Sequence, residues 1–259
     1  MKIGFVGLGN IGKPMALRLA AAASSGDVEL TVYDVAPDPV AELVAVGAKA
    51  AASVGELAAV VDVVCVMVRD DDQVRAVAEE TGPGTVLVIH STVAPGTPVE
   101  LEGRGLTVLD APVSGGPHNI AAGTITLFVG GPDDAVARVR PVLAAYGDPI
   151  LHVGPLGAGQ AVKLTNNALF AAQIGLLREA VALGDRLGVS EVKLLEAITH
   201  GSGASKVAGF VAAGGSLDAF IDRTGEFIGK DVDVVRKIAA ELGQALGLLD
   251  DVINAGNRP

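Results

Sequence analysis

The 259-residue sequence has one cysteine, no tryptophan, two tyrosines and six phenylalanines. A single thiol excludes an internal disulfide framework and leaves too few thiolates for a zinc or iron–sulfur cage. Cys65 itself sits in the apolar run VVDVVCVMV and reads as core. The histidines His90, His118, His152 and His200 are scattered without ligand spacing, so no metal site is expected. Basic residues are also scarce: 19 Lys and Arg face 30 Asp and Glu, for a formal net charge of -11, and no dense basic cluster occurs. Neutralising phosphates needs such clusters, so neither nucleic acid nor an anionic membrane is an expected partner. An acidic chain repels anions at long range, so a bound carboxylate would need local donors and cations to overcome that field. The sequence has no run of eighteen uncharged apolar residues, which argues against a spanning helix. The opening MKIGFVGLG is too short for the apolar core of a secretory leader and has no cleavage pattern. A soluble, cytoplasmic protein is the expectation.

Half the residues are apolar, and Ala, Val, Leu and Gly dominate, a composition suited to helices packed on a parallel sheet. Up to about residue 153, β-rich runs alternate with helical stretches, the strand candidates being KIGFVG, VELTVYD, VDVVCVMV, TVLVIH, LTVLDAPV and TITLFVGG. Such alternation predicts an α/β fold, a doubly wound sheet with helices on both faces whose ligands bind beyond the carboxyl ends of the strands. At GPLGAG the pattern changes to a long helical run from about Ala161 to Leu187, which places a boundary between residues 1–158 and an all-helical part, 159–259. Leu164 to Leu177 carries no charge and is apolar nearly all round, so it should be buried against other helices or a partner subunit. The remainder reads as shorter helices punctuated by GSGAS, GGS and TGEF, with VVRKIAAELGQALGLLDDV the clearest amphipathic stretch.

Gly7, Gly9 and Gly12 form G-x-G-x-x-G between a strand and a helical run, the context a dinucleotide fingerprint requires. The first glycine makes the tight turn, the second lets backbone approach a pyrophosphate, and the third permits close helix packing; Leu8, Asn10 and Ile11 complete the loop. Asp34 ends the second strand, where a carboxylate accepts hydrogen bonds from ribose hydroxyls and repels a 2′-phosphate. The following VAPDPVAE offers no Arg to rescue such a phosphate, which predicts NAD rather than NADP.

The match then extends along the chain. GFVGLGNIGKPMALRLA, YDVAPD, HSTVAPGT, DAPVSGG with GTITLFVGG after it, GAGQAVKLTNN and FIGKDVDV occur in order over roughly residues 1 to 250. In these motifs the sequence resembles the β-hydroxyacid dehydrogenases, which include 3-hydroxyisobutyrate dehydrogenases, tartronate semialdehyde reductases and, more distantly, 6-phosphogluconate dehydrogenases. The resemblance implies an NAD-dependent enzyme acting on a small 3-hydroxy acid, with the substrate in a cleft between the two domains and a homodimer or homotetramer as the assembly. It also implies roles for particular residues. Lys163 is the catalytic acid/base, and Asn167 positions it and the substrate hydroxyl. Ser114, Gly115 and Gly116 bind the carboxylate, and Lys230 and Asp231 reach the substrate from the helical domain. Val66, Met67 and Val68 floor the cofactor, with Ser91 and Thr92 near the nicotinamide.

The chemistry of each residue suits its implied role. Glycines expose backbone N–H groups that cradle a carboxylate, and Ser114 adds a hydroxyl donor. Lys163 and Asn167, four apart, project from one helix face. A Lys beside an alkoxide takes its proton and stabilises the negative charge. Acting as a base from a reference pKa of about 10.4 requires desolvation or neighbouring positive charge. Taken alone, the same residues also read as an ordinary glycine turn, a solvated Lys, strand-end caps at Ser91 and Thr92, and a surface salt bridge at Lys230 and Asp231.

Departures narrow the reading. Asn166 stands where 6-phosphogluconate dehydrogenases have His, and Lys163 is retained where imine reductases usually replace it. An imine or carbonyl reductase on the same scaffold and a non-catalytic NAD-binding module are the rival readings. After SGG the residues Pro117, His118, Asn119 and Ile120 replace the family's usual Val and Gly-Ala pair, which bears on substrate identity and tilts it slightly toward a polar substituent. The sequence ends at NAGNRP, where relatives usually carry another helix.

Overall fold

The computed structural model describes residues 1–23 and 28–256, so the closing residues of NAGNRP lie outside the described part. The chain forms two compact units, Met1–Lys163 and Leu164–Pro259. The division falls inside the long helix that starts near the expected boundary.

The first unit contains strands β1 (Lys2–Val6), β2 (Glu29–Tyr33), β3 (Lys49–Ala50), β4 (Val63–Val66), β5 (Val86–Ile89), β6 (Thr107–Asp110), β7 (Val113–Ser114), β8 (Ile125–Gly130) and β9 (Gly147–Gly154). Between them lie α1 (Gly12–Ala23), α2 (Pro37–Ala45), α3 (Val54–Ala58), α4 (Asp71–Glu80), α5 (Gly96–Gly103), α6 (Pro117–Ala121) and α7 (Asp133–Leu143). The sheet order is β3-β2-β1-β4-β5-β6-β8, and β8 also pairs with β7 and β9. Strands β1 to β6 are mutually parallel. Chain order reverses direction between β1 and β4, the point where a crevice opens beyond the strand ends in such sheets.

The central strands VVCV and VLVI are buried on both faces, as a parallel sheet covered by helices demands. One face packs Ile3, Phe5 and Cys65 under Met15 and Leu19 of α1 and Val136 and Val139 of α7. The other packs Val64 and Leu87 under Leu57 of α3, Val74 of α4 and Leu101 of α5.

The doubly wound sheet is parallel except at its far edge. LTVLDAPV splits into β6 and β7, and β8 runs antiparallel to both. The link between β7 and β8 holds only the five-residue α6, too little for the crossover that a parallel return requires. Strand β9 carries no clear period in sequence: it contains Pro149 and half its residues face solvent. Strand β3 is two exposed residues.

The remaining helices are α8 (Ala158–Arg186), α9 (Glu191–Ile198), α10 (Lys206–Gly214), α11 (Leu217–Glu241) and α12 (Leu248–Gly256). Ile174 and Leu177 of α8 pack with Leu195, Val207, Val211 and Phe220 in a core of their own. Within the uncharged stretch Leu164 to Leu177 most positions are buried, but Leu169 and Leu176 are exposed. TGEF does not break the chain as expected but lies inside α11. The amphipathic run VVRKIAAELGQALGLLDDV is instead interrupted between α11 and α12, where Gly243 and Gly247 adopt positive φ. Among the described residues no helix is long and apolar enough to cross a membrane.

Between β5 and α7 the core of the first unit encloses a polar chain. His90 and Tyr146 are fully buried. The Nδ1–H of His90 donates to Ala111 O at 2.7 Å, so Nε2 must accept from the Tyr146 hydroxyl at 2.9 Å. Cys65 Sγ lies 4.0 Å from that hydroxyl, and the imidazole stacks on Phe5. Burial pushes His90 down to about 4 from 6.5, against the bond to Ala111. The unfolded chain therefore takes up a proton between these values that the folded one refuses, so this histidine's contribution is complete above 6.5 and is lost as pH falls toward 4. The loss amounts to about 3 kcal/mol over that window. Urea unfolding followed by tyrosine fluorescence should show this acid sensitivity in the native protein. His90→Phe should be less stable at neutral pH yet flatter across the window; an unchanged slope would contradict the account.

Candidate active site

The turn after β1 is fixed by sterics. Gly7 has φ +92° and donates its N–H to Tyr33 O at 3.1 Å. A Cβ there would overlap Met67 O, and one on Gly12 would overlap Gly7 O. Gly9, by contrast, faces open space. The first and third glycines are thus demanded by packing, and the second leaves room for a ligand to approach the backbone. Asn10 and Ile11 complete the turn, exposed and half-buried, while Leu8 is buried.

Asp34, half-buried at the end of β2, accepts the Leu8 N–H at 2.5 Å on Oδ2 and the Ala36 N–H at 2.8 Å on Oδ1. Each oxygen keeps a further lone pair, enough for two ribose hydroxyls. Lys13, the first cation after the fingerprint, is paired with Glu42 at 3.0 Å. The structure brings the other residues expected to hold the cofactor to the same edge of the sheet. Met67 N–H donates to Val6 O at 2.9 Å and Val68 N–H to Ser91 Oγ at 2.8 Å. Val66 and Ser91 are buried, and Met67, Val68 and Thr92 are half-buried. The open backbone at Gly9 and the spare acceptors of Asp34 fit a dinucleotide.

At the end of β7, Ser114 is half-buried and Gly115 is exposed with φ +134°. The Gly116 N–H, expected to serve a carboxylate, is held by Asn119 Oδ1 at 3.0 Å. That side chain caps α6, and sequence reading assigned it no structural partner. His118 is exposed beside it.

Lys163 is half-buried in the second turn of α8. One turn on, Asn167 is 8% exposed and donates Nδ2–H to Asp231 Oδ2 at 2.9 Å, joining α8 to α11. Asn166 donates to Asn167 Oδ1 at 3.3 Å. Asp231 is half-buried, while its neighbour Lys230 is exposed.

Two family models cover nearly the whole chain. One, the NAD-binding domain of 6-phosphogluconate dehydrogenase, matches residues 2–154. The other, the NAD-binding model of NADP-dependent 3-hydroxyisobutyrate dehydrogenase, matches residues 157–254. The chain belongs to the β-hydroxyacid dehydrogenase family. Its cofactor is NAD, which agrees with Asp34. Among similar β-hydroxyacid dehydrogenases, the NAD-dependent L-serine dehydrogenase of Pseudomonas aeruginosa is 39% identical over 216 residues, 78% of this chain and 70% of the relative. The 2-(hydroxymethyl)glutarate dehydrogenase of Eubacterium barkeri is 35% identical over 240 residues, 88% of this chain and 76% of the relative. The solved 3-hydroxyisobutyrate dehydrogenase of Mycobacterium tuberculosis with L-serine superposes with a TM-score of 0.87 at 30% identity, covering 99% of this chain and 92% of the other.

The Asp34 arrangement predicts cofactor choice. The native protein should show a higher kcat/KM with NAD than with NADP, and Asp34→Ser should cut that preference about tenfold or more by removing the charge that repels a 2′-phosphate. Steady-state kinetics with both cofactors measures this, and a native preference for NADP would refute it.

Proposed function

We propose that this β-hydroxyacid dehydrogenase interconverts a small 3-hydroxy acid and its semialdehyde, with Lys163 as general acid/base. The compounds that name its relatives, L-serine, 3-hydroxyisobutyrate and 2-(hydroxymethyl)glutarate, share the unit HO–CH2–CHR–COO⁻ and differ in R. The substrate here belongs to that class. His118 and Asn119, in place of smaller family residues, favour a polar R. The observation that carries the reading is the fixed amide on this helix: Asn167, nearly buried and held by Asp231, one turn beyond Lys163.

The division of labour follows from donor and acceptor chemistry. The turn from Gly7 through Leu8, Gly9, Asn10 and Ile11 to Gly12 receives the pyrophosphate at the N-terminus of α1, and Asp34 takes the ribose hydroxyls. Val66, Met67 and Val68, with Ser91 and Thr92, hold the nicotinamide end. Bound NAD supplies the hydride acceptor. The Ser114 hydroxyl and the Gly115 and Gly116 N–H groups bind the substrate carboxylate, the last by taking the place of Asn119 Oδ1. Lys230 adds a cation that offsets the acidic surroundings. Asn167 Nδ2 keeps a second N–H for the substrate hydroxyl oxygen. Lys163, as the free amine, takes the hydroxyl proton during oxidation, and as the ammonium returns it to the carbonyl oxygen during reduction.

The assembly in this reading is a homodimer or homotetramer. Leu169, Leu176, Leu183 and Leu187 are 48%, 57%, 50% and 72% exposed. With Gln173 and Ala180 between them they follow a spacing of four and three along α8, the seam a second helix of the same kind fills. A second copy is the occupant we assign, and the cytoplasm is the compartment, where a lone buried Cys65 stays a thiol.

NAD reduction across a panel of 3-hydroxy acids tests the function. Turnover on one member, with kcat about a hundredfold lower in Lys163→Ala at little changed KM, is the expected result. Turnover on none, in protein that binds NADH, would overturn it. For the assembly, light scattering should give a dimer or larger at micromolar concentration, and Leu176→Glu with Leu183→Glu should give a monomer. A native monomer would refute the seam.

A further inference from the structure

Four helix starts are capped by the side chain of the residue just before them: Ser53, Asp70, Ser205 and Ser216 each accept an N–H three residues on. The start of α8 is different. Its N–H groups are taken by Asp110, a fully buried carboxylate at the end of β6: Oδ1 accepts from Gly157 and Oδ2 from Gln160, both at 2.7 Å. The approach is so close that a Cβ on Gly159 would overlap Phe128 O. Gln160, also fully buried, bonds the segment after β5 through both ends of its amide. Oε1 accepts the Val93 N–H at 3.1 Å and Nε2 donates to Ser91 O at 2.8 Å. Ser91 in turn receives the Val68 N–H. Asp110 fixes the height of the helix start, and Gln160 fixes its rotation.

Three residues after Gln160, and so on the same helix face, stands Lys163. We propose that Asp110 and Gln160 are positioning residues for Lys163: they tie the first turn of α8 to the strand ends that hold the nicotinamide and thereby set where the Lys163 amine emerges. The proposal rests on the acid/base role of Lys163. Neither residue was assigned a role from the sequence, although both stand in motifs read there, the Asp opening DAPVSGG and the Gln of GAGQAVK. Burial pushes the Asp110 carboxyl up while the Gly157, Gln160 and Gly159 N–H groups hold it down. The joint is thus made by donors aimed at one group.

The test uses Gln160→Met, which keeps length and removes both side-chain bonds, and Asp110→Asn, which keeps shape and removes the charge. In cofactor-free protein, the pH-dependent acetylation rate of Lys163, read by peptide mass spectrometry, should change about fivefold or more in both variants, with Lys49 and Lys193 as unchanged references. In turnover, kcat should fall about tenfold to a hundredfold with KM little changed, and the same substitutions should cost nothing further in a Lys163→Ala background. Unchanged labelling, or a loss repeated in full in that background, would overturn the proposal. If Lys163→Ala alone keeps its kcat, the acid/base role fails, and the labelling arm still decides positioning. If Gln160→Met unfolds, Gln160→Glu retains an acceptor for Val93 N–H and loses the donor to Ser91 O. An intermediate labelling change then supports the proposal, and none refutes it.

Discussion

A parallel strand cannot turn straight back, so each crossover returns the chain to the same edge of the sheet. In this protein that constraint brings together residues far apart in sequence. Gly7 after β1, Asp34 after β2, Val68 after β4 and Ser91 after β5 all leave the sheet on the carboxyl side. Bonds donated by backbone N–H groups at that edge then lock one loop to the next: Gly7 to Tyr33 O, Leu8 to Asp34 Oδ2, Met67 to Val6 O, Val68 to Ser91 Oγ. The site is a product of strand direction first and of side-chain chemistry second.

The parts legible in sequence are those in which local sterics and function agree. Gly7 and Gly12 are forced by backbone overlap, so the fingerprint announces itself. The fully buried β4 and β5 stand out as apolar runs because both their faces are covered. Where burial is partial the signal fades. Strand β9 has solvent on much of its length and a proline, and β8 gives no sign of its antiparallel direction, which is set by the shortness of the preceding link. TGEF resembles a break, yet it lies within α11. Long-range polar pairing was the least readable of all: Asp110 and Gln160 stand 50 residues apart and meet only once the sheet has formed. Asn119 was noticed as a departure, but its bond to the Gly116 N–H follows from the folded turn.

Helix α8 belongs to both compact units. Its start is anchored to the first unit by a carboxylate and an amide, while Asn167 is anchored by Asp231 within the second. In the proposed reading, residues of this one helix serve as the proton carrier, in the first unit, and as the group that orients the substrate, in the second.

The buried thiol of Cys65 has a consequence of a different kind. Desolvation pushes it up to about 12, so at neutral pH only about one molecule in a hundred thousand carries the thiolate, the form that reacts with peroxides, disulfides and electrophiles. With the sequence's one cysteine sealed in the sheet, oxidants have no thiol to act on. A response of this enzyme to the redox state of its surroundings is then carried by the ratio of oxidised to reduced cofactor rather than by oxidation of a thiol.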